Sequence, residues 1–257
     1  MSLVELDLGT TATITFNDPD RHNSLTLAMF EEIDAALGRV ENEVDGASLL
    51  LRGHGPSFCS GLDILTGDDR SDRIESLLRS LSSVARRLRR LPRVVVAEVH
   101  GNALAGGCAL LSACDMVCVE PEARIGYPVH QLGLSPAVSI PTLVQSIPAG
   151  EARSLMLSGR LIDGREAYRI GLAHHLADSG SELPGLAASI CTELADKGRN
   201  ALKATKAWLN EICGDDHDEY FDRTLEASIE SSRTTEATTM LDGFWERGRG
   251  GRTKEAD

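Results

Sequence analysis

The chain has 257 residues, of which 42% are hydrophobic, and its formal net charge is −13. This composition is ordinary for a globular protein, and the length suffices for one large core or a main domain with an appendage. The acidic balance argues against nucleic acid as a partner, because binding nucleic acid requires a basic face. A membrane span is not expected either, since no run of about 18 apolar residues occurs.

The six cysteines are scattered along the chain. They lack nearby ligand partners, so we interpret them as reduced and buried rather than as metal ligands. The first residues, "MSLVELDLGT", have neither a basic segment nor an apolar one, which disfavours secretion. We therefore predict a cytoplasmic protein without a metal site.

Strands and helices alternate in the predicted elements. In chain order, the patterns predict strands at 3–8 and 11–16 joined as a hairpin at Gly9-Thr10, a helix at 27–44, a strand at 47–53, a helix at 74–88, a strand at 93–101, a helix ending near 113, and two short strands within 115–128. From about Pro141 the chain is predicted to be mainly helical. The alternation favours an α/β domain with parallel strand pairing.

The stretch "NALAGGCALL" places Gly106 and Gly107 between an apolar strand and an apolar helix. Backbone amides exposed at the start of a helix can hold a developing negative charge. Residues 108–111, which follow the glycines, read Cys-Ala-Leu-Leu and contain no acid or base. The segment by itself therefore predicts an anion-stabilising turn.

Four stretches in order resemble the signatures of the enoyl-CoA hydratase/isomerase (crotonase) superfamily. They are "ATITFNDPDRHNSLTLAMFEEIDAAL", "PSFCSGLDI", "VVAEVHGNALAGGCALLSACDMV" and "IGYPVHQLGLSP". The similarity continues to "LDGFWERGR" and so covers nearly the whole chain. It implies a protein that binds acyl-CoA thioesters of the kind used in fatty acid metabolism, with coenzyme A as part of the substrate and no other cofactor.

The resemblance implies an oxyanion hole built from two backbone N–H groups. Matched by motif position, these are the N–H of Leu62 and the N–H of Gly106. Such donors stabilise the negative charge on a thioester oxygen as an enolate or tetrahedral anion forms, each typically contributing about 2.7–4 kcal/mol.

The chain departs from the family pattern at both catalytic glutamates. Hydratases of this family use two glutamates to hold and activate one water, and the matching positions here are Ala109 and Val129. Ala105 also replaces the first glycine of the glycine run. Since alanine and valine cannot bind a proton or orient water, we predict weak or absent hydration of crotonyl-CoA.

Other residues are weighed as replacement acids or bases. His130 adjoins the second lost glutamate, although in an extended segment it would point to the opposite face. Tyr127 would share the face of Val129. Further alternatives are Asp68, Asp69, Asp72 and Ser139, against the simpler interpretation that each is a structural or solvated residue.

The nucleotide end of coenzyme A is assigned by resemblance. It implies that backbone around Cys59 and Ser60 holds the adenine, and that Phe244 and Arg247 of the last helix face the nucleotide. Arg21 is a candidate partner for a phosphate, because the planar donors of arginine suit phosphate.

The implied fold is a crotonase-like spiral of β-β-α units, with residues 1–194 as the acyl-CoA-binding core and residues 195–257 as a helical oligomerisation region. A homotrimer or homohexamer is expected. Two alternatives to hydratase or isomerase chemistry stay open: a non-catalytic acyl-CoA-binding or regulatory protein, and a crotonase-type decarboxylase or thioesterase.

Overall fold

The structure is a computed structural model that describes residues 2–43, 46–64, 70–213 and 218–252. Its strands are β1 (Val4–Leu8), β2 (Ala12–Phe16), β3 (Ser48–Gly53), β4 (Val94–Val99), β5 (Asn102–Leu104), β6 (Met116–Val119), β7 (Arg124–Gly126), β8 (Leu161–Ile162) and β9 (His175–Leu176). Its helices are α1 (Leu27–Glu43), α2 (Arg70–Arg90), α3 (Gly106–Ser112), α4 (Ile140–Ser146), α5 (Ala149–Ser158), α6 (Gly164–Ile170), α7 (Leu183–Ala195), α8 (Arg199–Cys213), α9 (Asp218–Ser232) and α10 (Thr235–Arg252). Short 3₁₀ helices span Pro19–Arg21, Pro128–Leu132 and Ala137–Ser139. The predicted α/β class is confirmed.

The larger sheet has the strand order β1-β2-β3-β4-β6-β9. The pair β1 and β2 forms the predicted antiparallel hairpin, and the other neighbours are parallel. Leu49 and Leu51 of β3 belong to the main core, whereas Leu50 belongs to a smaller core that includes residues of α7. This division follows from the alternation of side chains between the two faces of a strand, and it buries the sheet on both sides.

A second, three-stranded sheet has the order β5-β7-β8. Cys59, in the loop after β3, forms an isolated parallel bridge with Ala103 of β5. The bridge brings the loop after β3 beside the turn between β5 and α3. The two-residue strands β8 and β9 lie in the part that the sequence predicted to be mainly helical, because strands this short show no readable alternation.

The C-terminal helices begin after α7, which ends at Ala195, next to the predicted boundary between residues 194 and 195. Lys206 of α8 is buried, and its Nζ donates to the carbonyl oxygens of Leu88 (3.1 Å) and Arg93 (2.9 Å) and to Asp115 Oδ2 (2.6 Å). These bonds dock α8 on the core. The division into a core and an oligomerisation region stays a prediction.

Within the described residues, no helix combines the length and the apolar character that crossing a membrane would require.

Candidate active site

A cavity of about 620 Å³ lies where the loop after β3 meets the turn between β5 and α3. Its wall includes Leu62, Gly106 and Phe244 of α10. One side is apolar and comes from α2, through Ile74, Leu78 and Leu81. The apolar face predicted for this helix therefore lines the cavity as well as the core.

Hydrogen bonds made by the residues on either side of Leu62 fix the direction of its N–H. Leu25 donates to the carbonyl oxygen of Gly61 (2.8 Å), and Asp63 N–H donates to the carbonyl oxygen of Leu25 (2.9 Å). In a bridge of this kind successive peptide groups point in opposite directions. The N–H of Leu62 therefore points away from Leu25, and it has no acceptor among the described residues.

The N–H of Gly106 is the first amide after β5 that has no acceptor among the residues the structure describes. Leu104 donates to the carbonyl oxygen of Cys59 (3.0 Å) and Ala105 donates to that of Gly126 (2.8 Å). Gly106 follows as the first residue of α3, where a backbone N–H lacks an intrahelical partner. A β carbon on Gly106 would lie 3.4 Å from the nitrogen of Leu62, so the two amides are neighbours.

The turn before α3 depends on close backbone approach and carries an unusual conformation. A β carbon on Gly107 would collide with the carbonyl oxygen of Cys59, so only glycine fits there. Ala105 has φ 48° and ψ −107°, a region that glycine occupies far more readily than alanine. The substitution at the first position of the glycine run thus leaves a strained alanine next to the Gly106 donor.

Ala109 and Val129, the two positions that the resemblance matches to the family's glutamates, carry apolar side chains, and the structure places them differently. Val129 lines the cavity. Ala109 is buried within α3 and is not among the lining residues. Neither side chain can hold a proton, so neither position provides a group for general acid–base catalysis.

Tyr127 and His130 lie in different environments, although they are three residues apart. Tyr127 is fully buried and lines the cavity, while His130 is exposed and is not among the lining residues. Burial raises the pKa of the Tyr127 hydroxyl well above its ordinary value, so it is a neutral donor and not a base near neutral pH. His130 is therefore not placed to reach a ligand in this cavity; it lies in the 3₁₀ helix Pro128–Leu132 rather than in the extended segment assumed from the sequence.

The remaining candidate bases differ in whether they line the cavity. Ser139 is buried and lines the cavity. Asp72 is exposed at the start of α2 and is not a lining residue. Asp68 and Asp69 lie outside the described residues.

The residues assigned to the nucleotide end are only partly brought together. Ser60, Arg21 and Phe244 line the cavity, and all three belong to one chain. Arg247 belongs to α10, but its side chain lies outside what the structure describes. Cys59 is fully buried, its N–H donates to the carbonyl oxygen of Asn102 and its carbonyl oxygen accepts from Leu104, so its own backbone anchors the loop. That the backbone around Cys59 and Ser60 holds the adenine stays a prediction.

Cysteine nucleophiles are disfavoured at the two loops. Cys59 and Cys108 are fully buried, and burial raises the pKa of each thiol to about 12. Since the thiolate is the reactive form, both thiols are unreactive near neutral pH.

Asp63 joins three segments at the cavity, a relationship that sequence patterns did not reveal. Its Oδ2 lies 3.4 Å from Arg21 Nη1 and 3.5 Å from Arg73 Nη2. The carboxylate therefore ties the Leu62 loop to the first 3₁₀ helix and to α2. No local signal could have identified Arg73, because the pair forms only when these segments meet in space.

Comparisons with known proteins agree with the motifs. The family model described as enoyl-CoA hydratase/isomerase matches residues 8–250. A short-chain-enoyl-CoA hydratase of Clostridium acetobutylicum is 32% identical over 206 residues, covering 79% of this chain and 78% of the relative. The peroxisomal Delta(3,5)-Delta(2,4)-dienoyl-CoA isomerase of Arabidopsis thaliana is 28% identical over 213 residues, covering 76% of each.

Solved structures show the same fold. The crystal structure of an enoyl-CoA hydratase/isomerase from Xanthobacter autotrophicus Py2 matches with a TM-score of 0.84 at 27% identity. The match covers 96% of this chain and 93% of that one. The predicted crotonase-like fold is thereby confirmed.

Proposed function

The chain belongs to the enoyl-CoA hydratase/isomerase family, and from this we propose that it binds acyl-CoA thioesters and stabilises a thioester oxyanion or enolate without efficient hydration of crotonyl-CoA. The observation that carries the proposal is the pair of neighbouring amides of Leu62 and Gly106, which have no acceptor among the described residues, in a cavity whose described lining contains no glutamate.

The proposed role of the two amides is electrostatic. The thioester carbonyl oxygen accepts from both N–H groups, and the bonds strengthen as the oxygen becomes negative. Because the donors belong to the backbone and are held by the Leu25 and Cys59 bridges, they need little reorganisation when charge develops. The side chain of Leu62 stays free to contact the ligand.

The proposed lack of hydration follows from the apolar wall. Adding water across a double bond requires groups that deprotonate the water and protonate the carbon, each typically contributing about 10²–10⁴-fold. Val129 and Ala109 provide neither, and the raised pKa of Tyr127 disfavours it as a base. Chemistry that needs only enolate stabilisation stays compatible with this site.

Two assays test the proposal. Calorimetry with butyryl-CoA is expected to show saturable binding, and steady-state hydration of crotonyl-CoA is expected to be far below an ordinary enzyme turnover of about 10 s⁻¹. Turnover near that value would overturn the absence of hydration. Absence of binding would overturn the acyl-CoA site itself, while binding without any thioester reaction would favour the non-catalytic alternative.

We also propose that the chain forms a homotrimer or a homohexamer. The C-terminal helices present exposed apolar side chains that suit contacts between subunits, namely Trp208, Leu209 and Ile212 on α8 and Tyr220 on α9. Light scattering at micromolar concentration tests the assembly, and a monomer would contradict it.

A further inference from the structure

The cavity has an open, polar end and an enclosed, apolar end. Asp20 and Arg21 line it and are exposed, and Asp63 pairs with Arg21 at the same end (3.4 Å). Leu78 and Leu81 of α2 line it as well, but they are only 7% and 2% exposed. The open end therefore suits the part of a ligand that stays in water, and the enclosed end suits a part that leaves it.

The lining face of α2 begins near the loop that carries the Leu62 amide. Asp63, the residue after Leu62, has its Oδ2 3.5 Å from Arg73 Nη2. Arg73 directly precedes Ile74, the first residue of α2 that lines the cavity. A chain that starts at the Leu62 amide and enters the enclosed end therefore meets Ile74 first.

The apolar wall that α2 provides has a defined length. Ile74, Leu78 and Leu81 share one face of the helix and line the cavity. Val84 and Leu88 continue the apolar character of α2, but they belong to the main core and are not among the lining residues. At a rise of about 1.5 Å per residue, the wall from Ile74 to Leu81 is about 10 Å long.

Helix α9 closes the cavity beside α2. Arg79 of α2 pairs with Glu226 of α9 (3.2 Å), and Val138 N–H, in the 3₁₀ helix Ala137–Ser139, donates to Ser228 Oγ of α9 (2.8 Å). Ser228 lines the cavity and is only 1% exposed. The enclosed end is thus bounded by packed elements of the same chain.

The enclosed end lacks a charged side chain among the described lining residues, since the charged ones, Asp20, Arg21 and Asp63, lie at the open end. A carboxylate at the far end of a ligand would be buried without a cation, which is strongly unfavourable. Methylene groups gain free energy by leaving water for such surroundings. The far end therefore selects a hydrocarbon group.

We propose that the acyl group of the bound thioester is an apolar chain of about eight carbons that lies along Ile74, Leu78 and Leu81, with Leu81 as the specificity-determining residue that limits its length. Each carbon–carbon bond advances an extended chain by about 1.25 Å, so a wall of about 10 Å matches about eight bonds. The inference rests on the proposed function, because it requires that the cavity hold an acyl-CoA. It goes further by naming the substrate class as apolar acyl groups of medium length.

The test measures dissociation constants by calorimetry on the full chain for butyryl-CoA, octanoyl-CoA, dodecanoyl-CoA and suberyl-CoA, which has the length of octanoyl-CoA but ends in a carboxylate. Each methylene group that is buried should tighten binding by up to about fourfold. The wild type is therefore expected to bind octanoyl-CoA at least about tenfold more tightly than butyryl-CoA. Dodecanoyl-CoA should gain no more than about threefold over octanoyl-CoA, and suberyl-CoA should bind at least about tenfold more weakly than octanoyl-CoA.

Leu81→Ala should lengthen the space available to the acyl chain, and Leu88→Ala is its matched control. Both remove the same atoms from a buried leucine of α2, but Leu88 does not line the cavity. Both should lower the melting temperature, because truncation of a core leucine leaves a void. Only Leu81→Ala should raise the affinity for dodecanoyl-CoA relative to octanoyl-CoA, by at least about fivefold.

Three wild-type results would overturn the assigned chain length and character: octanoyl-CoA bound no more tightly than butyryl-CoA, affinity that keeps rising at the same rate to dodecanoyl-CoA, or suberyl-CoA bound as tightly as octanoyl-CoA. The wild-type series decides these points even for a variant that does not fold. An equal effect of Leu81→Ala and Leu88→Ala on the ligand ranking would overturn the role of Leu81. Failure of all four thioesters to bind would instead overturn the proposed function.

Discussion

A β carbon placed on Gly106 would lie 3.4 Å from the backbone nitrogen of Leu62, so the two amides share one small space at the cavity wall. The loops that carry them are far apart in the chain and are joined by the bridge between Cys59 and Ala103. Because both donors belong to the backbone, their function is altered by filling the space between them rather than by removing a side chain.

Gly106→Ala is expected to weaken butyryl-CoA binding about tenfold. The added methyl group would also lie 3.2 Å from Leu25 Cδ1, a contact tight enough to require a small shift but not to prevent folding. It would occupy the approach of the thioester oxygen to Leu62 N–H, and loss of one or two hydrogen bonds accounts for the expected factor. Calorimetry measures the change.

Gly150→Ala is the control for this substitution. Gly150 lies in α5, and a β carbon there would meet no heavy atom within 4 Å. It should leave butyryl-CoA affinity unchanged. Equal affinity of Gly106→Ala and wild type would contradict the placement of the oxyanion between these amides.

Ala109→Glu combined with Val129→Glu should raise crotonyl-CoA hydration at least about tenfold above the wild type, because acid–base groups typically contribute more than this. The rate is followed by loss of the enoyl absorbance. Carboxylates at the cavity-lining position 129 and at the buried position 109 resist ionisation in these apolar surroundings, so the melting temperature is measured on the same samples.

The variant Ala109→Gln with Val129→Gln separates the effect of acid–base catalysis from the effect of side-chain size. Glutamine has nearly the size of glutamate but cannot take up a proton, so it should leave hydration at the wild-type level. If the folded double glutamate variant hydrates no faster than the glutamine variant, the two positions are not sufficient for the missing activity.

Ala105→Gly should stabilise the protein. Ala105 is held at φ 48° and ψ −107°, and glycine adopts this conformation with less backbone strain. The relief of strain is expected to raise the free energy of unfolding by about 1 kcal/mol. For a chain of this size that corresponds to an increase in melting temperature of about 2–4 °C. Ala188→Gly, at an exposed position within α7, should lower stability by about 1 kcal/mol. The same sign for both substitutions would show that Ala105 is not strained.

Glu98→Gln should stabilise the protein increasingly as pH rises from acid to neutral. Glu98 of β4 is buried, and its Oε2 has no partner among the described residues. Burial raises the pKa of its carboxyl, with Arg52 and His100 opposing the shift. Stability from a carboxyl with a raised folded pKa is complete below the unfolded pKa and is lost as pH rises through the folded one.

Melting temperatures of wild type, Glu98→Gln and the exposed control Glu31→Gln, recorded from pH 4 to pH 8, test this dependence. The difference between Glu98→Gln and wild type should grow with pH, whereas Glu31→Gln should follow the wild type. A difference that is constant across the range would mean that Glu98 stays neutral or finds a partner when ionised.

Local patterns in the sequence were sufficient for the larger secondary-structure elements. Alternating and helical apolar spacing identified the β1–β2 hairpin, α1 and α2, because burial of one face imposes a period on the residues. The donor positions Leu62 and Gly106, and the match of Ala109 and Val129 to the family's glutamates, came from the family resemblance and stay predictions.

Tertiary structure decided which candidates face the cavity. Tyr127 and His130 are three residues apart, and the local sequence could not show which of them faces the cavity. Tyr127 is buried at the cavity wall and His130 is exposed, because the orientation of each side chain depends on the packing of the whole segment. The pairing of the Cys59 backbone with Asn102 and Leu104, which anchors the loop after β3, was likewise visible only in the tertiary structure. The Asp63–Arg73 pair and the two-residue strands depend on segments distant in sequence, so their residues carry no local periodicity that could reveal them.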